Sequence, residues 1–178
     1  MQKKIVITGG PGTGKSSLIN ELIRQNFFCM GEISRKVTLD AREKGIDQLF
    51  LKEPLLFSEL LLEGREQQFL NAEKENTEIV FFDRGIPDVH GYMNYIGVDY
   101  PDVYREKSLK YRYTTVFITP PWQEIYQSDN ERYESYEQSL AIHNHLKKTY
   151  LELEYSILNV PIGSVKDRVQ FILDTVMP

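Results

Sequence analysis

Short runs of consecutive apolar residues alternate along this chain with longer stretches in which apolar positions recur every three or four residues. The first run, "KIVIT" (4–8), is rich in β-branched residues and is bounded by Gly9 and Gly10. It predicts a buried strand. From Gly14 the period lengthens: Leu18, Ile19, Leu22 and Ile23 form one stripe, with Glu21, Arg24 and Gln25 opposite. That is an amphipathic helix. "FFCMGE" (27–32) predicts a second short strand, and "ISRKVTLDAREKG" a helix stopped by Gly45. Residues 47–76 are polar and leucine-rich, and Pro54 is placed to open a helix there.

"EIVFFD" (78–83) and "TTVFIT" (114–119) are two further buried strands, the second ended by Pro120 and Pro121. Ile142, Leu146, Tyr150 and Leu153 set a helix over 140–153, and "SILNVP" (156–161) is a last strand. Ser164 and Asp167 have the spacing of a capping box, before a stripe of Val165, Val169, Ile172 and Val176. Strands alternating with helices predict an α/β fold, a three-layer sandwich with a mainly parallel sheet and crossover helices on both faces. No repeat, low-complexity tract or linker interrupts it, so a single domain over 1–178 is expected.

Composition narrows the function. The 178 residues are 41% hydrophobic and 26% charged, with a net charge of −5. That balance argues against a protein held to nucleic acid by phosphate neutralisation. No apolar run approaches the ~20 residues of a membrane span. The segment after Lys3 and Lys4 is too short for a signal peptide, so a cytoplasmic protein is expected. Cys29, the one cysteine, lies in an apolar stretch and reads as a small buried hydrophobe.

The chemistry begins at "GGPGTGKSSL". Gly9, four residues, Gly14, Lys15 and Ser16 fit the P-loop pattern, between a strand and a helix as the motif requires. Glycines let the backbone curl so that N–H groups of Gly9, Gly10, Pro11, Gly12, Thr13, Gly14, Lys15, Ser16 and Ser17, proline excepted, converge on phosphate. The helix beginning near Gly14 adds its positive end. Lys15 can reach the β- and γ-phosphates, and the Ser16 hydroxyl can ligate Mg²⁺.

An acid near the magnesium is also expected, at the end of a buried strand. Asp83 ends "EIVFFD" and is followed by Arg84. The carboxylate can hold Mg²⁺ through water or accept a proton from an attacking hydroxyl, and the arginine can clamp phosphoryl oxygens. Glu32 and Arg35, after the second strand, suit an acceptor pocket, and Arg65 with Gln68 could line it from one helix face. The polar stretch 127–135 suggests a flap within a flexible lid of about 127–139, with Arg132 its lone cation. By resemblance to P-loop kinases, in which this region often touches the adenine, residues 159–165 could meet a base, though a plain strand–helix turn with a serine cap explains them at least as well. His143 and His145 face apart on a helix and His90 stands alone, so no histidine metal site is expected. Trp122 and Tyr126 read as packing residues.

Taken in order, "ITGGPGTGKSSL", "GEISRKV", "VFFDRGIPD", "FITPPWQEIYQSDNER" and "VPIGSVKDRVQFIL" resemble a family of small AAA-labelled ATPases. That family is similar to nucleoside and nucleotide kinases and to the kinase domain of bifunctional proteins acting on ribosylnicotinamide. The resemblance implies a five-stranded parallel sheet, ATP with Mg²⁺, and a closing lid with arginines. It places Lys15 and Ser16 on phosphate and metal, Asp83 and Arg84 at the acid–arginine pair, and Arg132 in the lid. No C-terminal helical domain of a motor ATPase is readable, so a remodelling activity is not expected. Related domains in some animal proteins are described as binding GTP and phosphoinositide.

Three functions stay open at this stage. The first is a Mg²⁺-dependent kinase acting on a small metabolite such as a nucleoside or nucleotide. The second is an ATP- or GTP-dependent switch that reads a protein or lipid partner. The third is a simple NTPase. The guanine-selecting NKxD pattern is absent, which favours ATP. Neither the acceptor nor the oligomeric state is readable from the residues.

Overall fold

The computed structural model describes residues 1–126 and 134–177. Five strands form one all-parallel sheet: β1 (Lys3–Thr8), β2 (Phe28–Met30), β3 (Ile79–Asp83), β4 (Thr115–Ile118) and β5 (Ile157–Asn159). Their spatial order is β2-β3-β1-β4-β5, with β1 in the middle. The registers are set by pairs such as Val6 with Phe82 and Val6 with Val116.

Continuous apolar strands are required because both faces are covered. Ile5, Ile7, Phe81 and Phe117 point to one face. There they meet Leu18 and Leu22 of α1 (Lys15–Arg24) and Val169 and Ile172 of α8 (Val165–Val176). Val6, Val80, Phe82 and Val116 point to the other. That side is covered by α2 (Ser34–Glu43), α3 (Leu49–Lys52), α4 (Pro54–Ala72), α5 (Ile86–Ile96), α6 (Val103–Lys110) and α7 (Tyr136–Glu152). The side chains thus alternate with the pleat even where the sequence does not alternate in polarity.

Several boundaries follow local chemistry. Pro54 does occupy the first turn of α4. Ser164 caps α8 by accepting from the Asp167 N–H at 3.2 Å. The box is not reciprocal, because the Asp167 carboxylate accepts from the Ser164 hydroxyl instead. The α7 helix starts earlier than its apolar stripe suggests. Ser135 caps it in a reciprocal capping box with Gln138, so residues 136–139 of the expected lid stretch are the helix's first turn. Two helices between β3 and β4 have no counterpart in the periodicity reading: α5 and α6. In α5, Gly91 lets the helix approach α7 so closely that a Cβ there would lie 3.1 Å from Leu146. No helix of the described residues is long and apolar enough to cross a membrane. Cys29 is half-buried rather than fully buried, and burial, with the Asp83 carboxylate, pushes its thiol up to about 12.

Candidate functional site

The carboxyl ends of the central strand β1 and of its neighbour β3 open on a crevice, the usual ligand position in an open parallel sheet. Between β1 and α1 the loop 9–14 turns back on itself. Gly12 has φ of +73°, and a Cβ there would sit 2.5 Å from the Tyr126 ring. Tyr126 therefore packs directly on the P-loop, and only glycine fits beneath it. Thr13 is tied down from both sides, donating to the Gly10 carbonyl at 2.9 Å and pairing with the Thr119 hydroxyl at 2.7 Å. Ser16 and Ser17 stand exposed at the mouth.

Lys15 is 8% exposed and folded into the loop it will have to serve. Its ammonium donates to the Gly10 carbonyl at 2.6 Å and to Thr13 Oγ1 at 3.3 Å. Burial pulls its pKa down to about 7, and the Arg84 guanidinium adds to the fall. Asp83, Glu32 and Asp88 oppose it without cancelling it. An anion arriving in the loop favours the charged form. Nucleotide binding near pH 8 should therefore take up a fraction of a proton, about 0.4 for a recovery of about one pKa unit and approaching one only for a recovery of about three. Calorimetric titrations in two buffers of different ionisation enthalpy measure this. Uptake should fade below pH 6, where Lys15 is already charged; equal uptake at both pH values would contradict the assignment.

Asp83 ends β3 and is 5% exposed. Its Oδ1 has no hydrogen-bond partner. Burial raises its pKa, and Lys15 and Arg84 only partly reverse this. Arg84 follows in a left-handed conformation, φ +71°, which a non-glycine residue holds only under constraint. Its Nη1 donates to the Gly9 carbonyl at 3.0 Å and to Asp88 Oδ1 at 3.3 Å, and its Nε lies 3.9 Å from Glu32. Burial pushes the Glu32 carboxyl up, but Arg84, the Ser34 hydroxyl, Lys15 and Arg65 together hold it below the usual range. Glu32 is thus ionised, next to an Asp83 whose basicity is raised.

On the far side, α2 brings Arg35, whose Nε is 3.8 Å from Glu32. The α4 helix brings Arg65, 2% exposed, with one long bond to the Asp83 carbonyl at 3.3 Å and no partner for its Nε. These groups share one cavity of about 710 Å³. Its wall runs from Pro11–Ser17 past Asp83 and Arg84 to Glu32, Arg35 and Arg65. It ends on an apolar margin of Leu39, Phe50, Phe57 and Leu61. The Phe50 and Phe57 rings lie 6.1 Å apart, tilted 58°.

Not every expectation fits. Gln68 does not line the cavity; its amide donates to the Gly31 carbonyl at 2.7 Å. The 159–165 turn contributes nothing to the cavity wall either. Instead Arg168, one turn into α8, reaches the P-loop. Its Nη2 donates to the Thr13 carbonyl at 3.0 Å, and its guanidinium lies 5.9 Å from the centroid of the Trp122 ring. Arg132 lies outside the described residues. The histidines behave as packing groups: His90 is buried against Ser108, and His143 is buried on α7. Among the described residues, no three His, Cys, Asp or Glu side chains group as a metal site.

Reasoning from the sequence missed Asp88, Tyr150, Ser139 and Arg168. Ser139 on α7 donates to the Pro11 carbonyl at 2.7 Å, which fastens that helix to the P-loop. Gly85 must be glycine because the Tyr150 hydroxyl would lie 2.6 Å from any Cβ. The one available signal was the spacing from Arg84 to Asp88 inside "DRGIPD".

A family model described as an AAA domain matches residues 4–168. The chain belongs to this family. Solved structures give the fold independently. Deoxyadenosine kinase from M. mycoides, with products dCMP and dCDP bound, superposes with a TM-score of 0.70 at 17% identity. The match covers 97% of this chain and 98% of that one. The same enzyme with bound dATP gives 0.71 at 17% identity, covering 99% and 100%. NadR protein in complex with NR gives 0.75 at 18% identity. There the match covers 98% of this chain but 50% of the NadR chain, so this family member spans half of that longer protein. No curated protein matches the sequence. The fold is that of nucleoside-kinase-like P-loop proteins.

Proposed function

We propose that this protein is an ATP-dependent phosphotransferase. It moves the γ-phosphoryl group of ATP, with Mg²⁺, to a hydroxyl of a small metabolite such as a nucleoside or nucleotide. One observation carries the reading: a single cavity of about 710 Å³ is lined both by the P-loop and by Asp83, Arg84, Glu32, Arg35 and Arg65. A nucleotide switch needs the first part and not the second.

The residues suit both cofactors. The P-loop's backbone N–H groups and the exposed Ser16 could take phosphate and metal, and the unpartnered Asp83 oxygen is a buried acceptor that could take a donor or a metal-bound water. Mg²⁺ keeps several waters and takes only one or two protein oxygens, so Ser16 and Asp83 suffice without a carboxylate cluster. When bound, ATP with Mg²⁺ supplies the transferable group and part of the charge neutralisation. Lys15 would exchange the Gly10 carbonyl for phosphate oxygens. Asp83 would receive the proton of the acceptor hydroxyl as its oxygen bonds to phosphorus and the bond to the ADP oxygen breaks. Lys15 and Arg84, joined by Arg132, would stabilise the charge on the transferring group. Glu32, Arg35 and Arg65 would hold the acceptor's polar groups, with its apolar part against Phe50 and Phe57.

The test is ADP release from ATP with Mg²⁺, alone and with a panel of nucleosides, nucleoside monophosphates and ribosylnicotinamide. One acceptor class should raise turnover at least about tenfold above hydrolysis by water. A slow background that no acceptor changes, with tight ATP or GTP binding, would favour the switch.

A further inference from the structure

Asp88 has more partners than a helix cap requires. It sits in the first turn of α5, 4% exposed, and accepts from the Gly85 N–H at 2.8 Å, which completes the cap. The same oxygen, Oδ2, takes the Tyr150 hydroxyl of α7 at 2.6 Å. Oδ1 takes the Thr8 hydroxyl at 2.5 Å and Arg84 Nη1 at 3.3 Å. Four donors from β1, α7 and the β3–α5 turn converge on one carboxylate.

Asp88 has no spare capacity for a substrate proton, in contrast to Asp83 with its bare Oδ1. It does hold the two ends of the proposed site in one geometry. Thr8 is the last residue of β1, directly before the P-loop. Arg84 is the left-handed residue whose guanidinium also reaches the Gly9 carbonyl. Its other anionic neighbours are Glu32, whose carboxylate lies 3.9 Å from the Nε, farther than Asp88 from Nη1, and Asp83. A cation on a long flexible side chain contributes to a transition state only if it is held where charge develops.

We infer that Asp88 is a positioning residue: by binding Thr8 and Arg84 on one oxygen, it fixes the Arg84 guanidinium over the start of the P-loop. The role given to Arg84 in turnover rests on the phosphotransferase reading. The placement of Arg84 does not, and the experiment separates the two.

The first readout is the Arg84 guanidinium Nη–H resonance, the group that donates to Asp88, recorded at low temperature in ¹⁵N-labelled protein and identified by its loss in Arg84→Lys. In Asp88→Asn it should move toward the position of free arginine; an unmoved resonance overturns the inference. The second is a double-mutant cycle on ATP turnover. Asp88→Asn should lower kcat about tenfold or more, change the KM for ATP less than about twofold, and have little further effect in the Arg84→Ala background. An equal loss in both backgrounds overturns it. Tyr150→Phe removes one donor and keeps the charge, so it should lower the melting temperature and spare both the resonance and kcat. A merely structural Asp88 would make Tyr150→Phe and Asp88→Asn alike in kcat at matched stability. Should Asp88→Asn not fold, Asp88→Glu keeps the charge one methylene further out and should displace the same resonance, its failure to do so overturning the inference. If no acceptor raises turnover in the wild type while the resonance moves as expected, Asp88 still places Arg84, and it is the phosphotransferase reading that fails.

Discussion

On the phosphotransferase reading, Lys15→Ala should lower acceptor-dependent turnover on the order of a thousandfold or more, because such transfer depends on placed charge rather than on covalent chemistry. The substitution should not unfold the protein. The Lys15 ammonium is buried, and burial together with Arg84 drives its pKa down to about 7. The free site therefore bears a cost for holding that cation, and its hydrogen bonds go to one carbonyl and one hydroxyl of the same loop. Thermal unfolding of the variant should give a melting temperature at or above that of the wild type. Lost turnover with an intact melt assigns the effect to chemistry. Turnover within about tenfold of the wild type would mean that Lys15 is not the group that meets the transferring charge.

Phe82→Ala destabilises the fold by about 3–5 kcal/mol, the usual range for emptying a buried aromatic site. Phe82 is 1% exposed and directly precedes Asp83. Its ring stacks on Phe69 of α4 at 6.3 Å and meets Tyr113 edge-on at 5.2 Å. Phe69 and Tyr113 also touch each other at 5.3 Å, so the three rings form a closed cluster with little freedom to collapse into a void. Denaturant unfolding at low temperature measures the loss, which is a large share of the 5–15 kcal/mol typical of a domain. A loss under about 1 kcal/mol would mean that the cluster relaxes around the gap. Because Phe82 also sets the end of β3, the surviving folded protein should bind an acceptor less well through a displaced Asp83.

The parts of this molecule that were legible in its sequence are those encoded locally. "KIVIT", "EIVFFD" and "TTVFIT" announce strands because a sheet covered on both faces needs unbroken apolar runs. The P-loop is legible because close backbone approach to phosphate demands glycine at fixed spacing. The α5 helix was hidden because it is buried nearly all round, its polar Asp88 and His90 included. Residues Ile86 to Gly91 are all buried between β3, α4 and α7, so no polar stripe marks a period. Asp88 was hidden for a related reason: two of its four partners, Thr8 and Tyr150, arise from tertiary packing with β1 and α7, and its local partners Gly85 and Arg84 alone make it look like a capping acid beside an i, i+4 arginine. Arg168 reads as a helix-surface cation until α8 packs beside α1 and carries it to Thr13. Gln68 illustrates the opposite error. Its i, i+3 spacing from Arg65 is real, but three helical residues advance by less than a full turn, and the shift suffices to send Gln68 to Gly31 and Arg65 into the cavity.

The central claim is that the cavity delivers an acceptor hydroxyl to the phosphate end of the P-loop. The most direct measurement follows the label of [γ-³²P]ATP into products, with the acceptor that most raises ADP release and with Lys15→Ala in parallel. The phosphotransferase account predicts label on the acceptor in amounts equal to the ADP formed, and none with the variant. Label found only as inorganic phosphate, with the acceptor recovered unchanged, would contradict it.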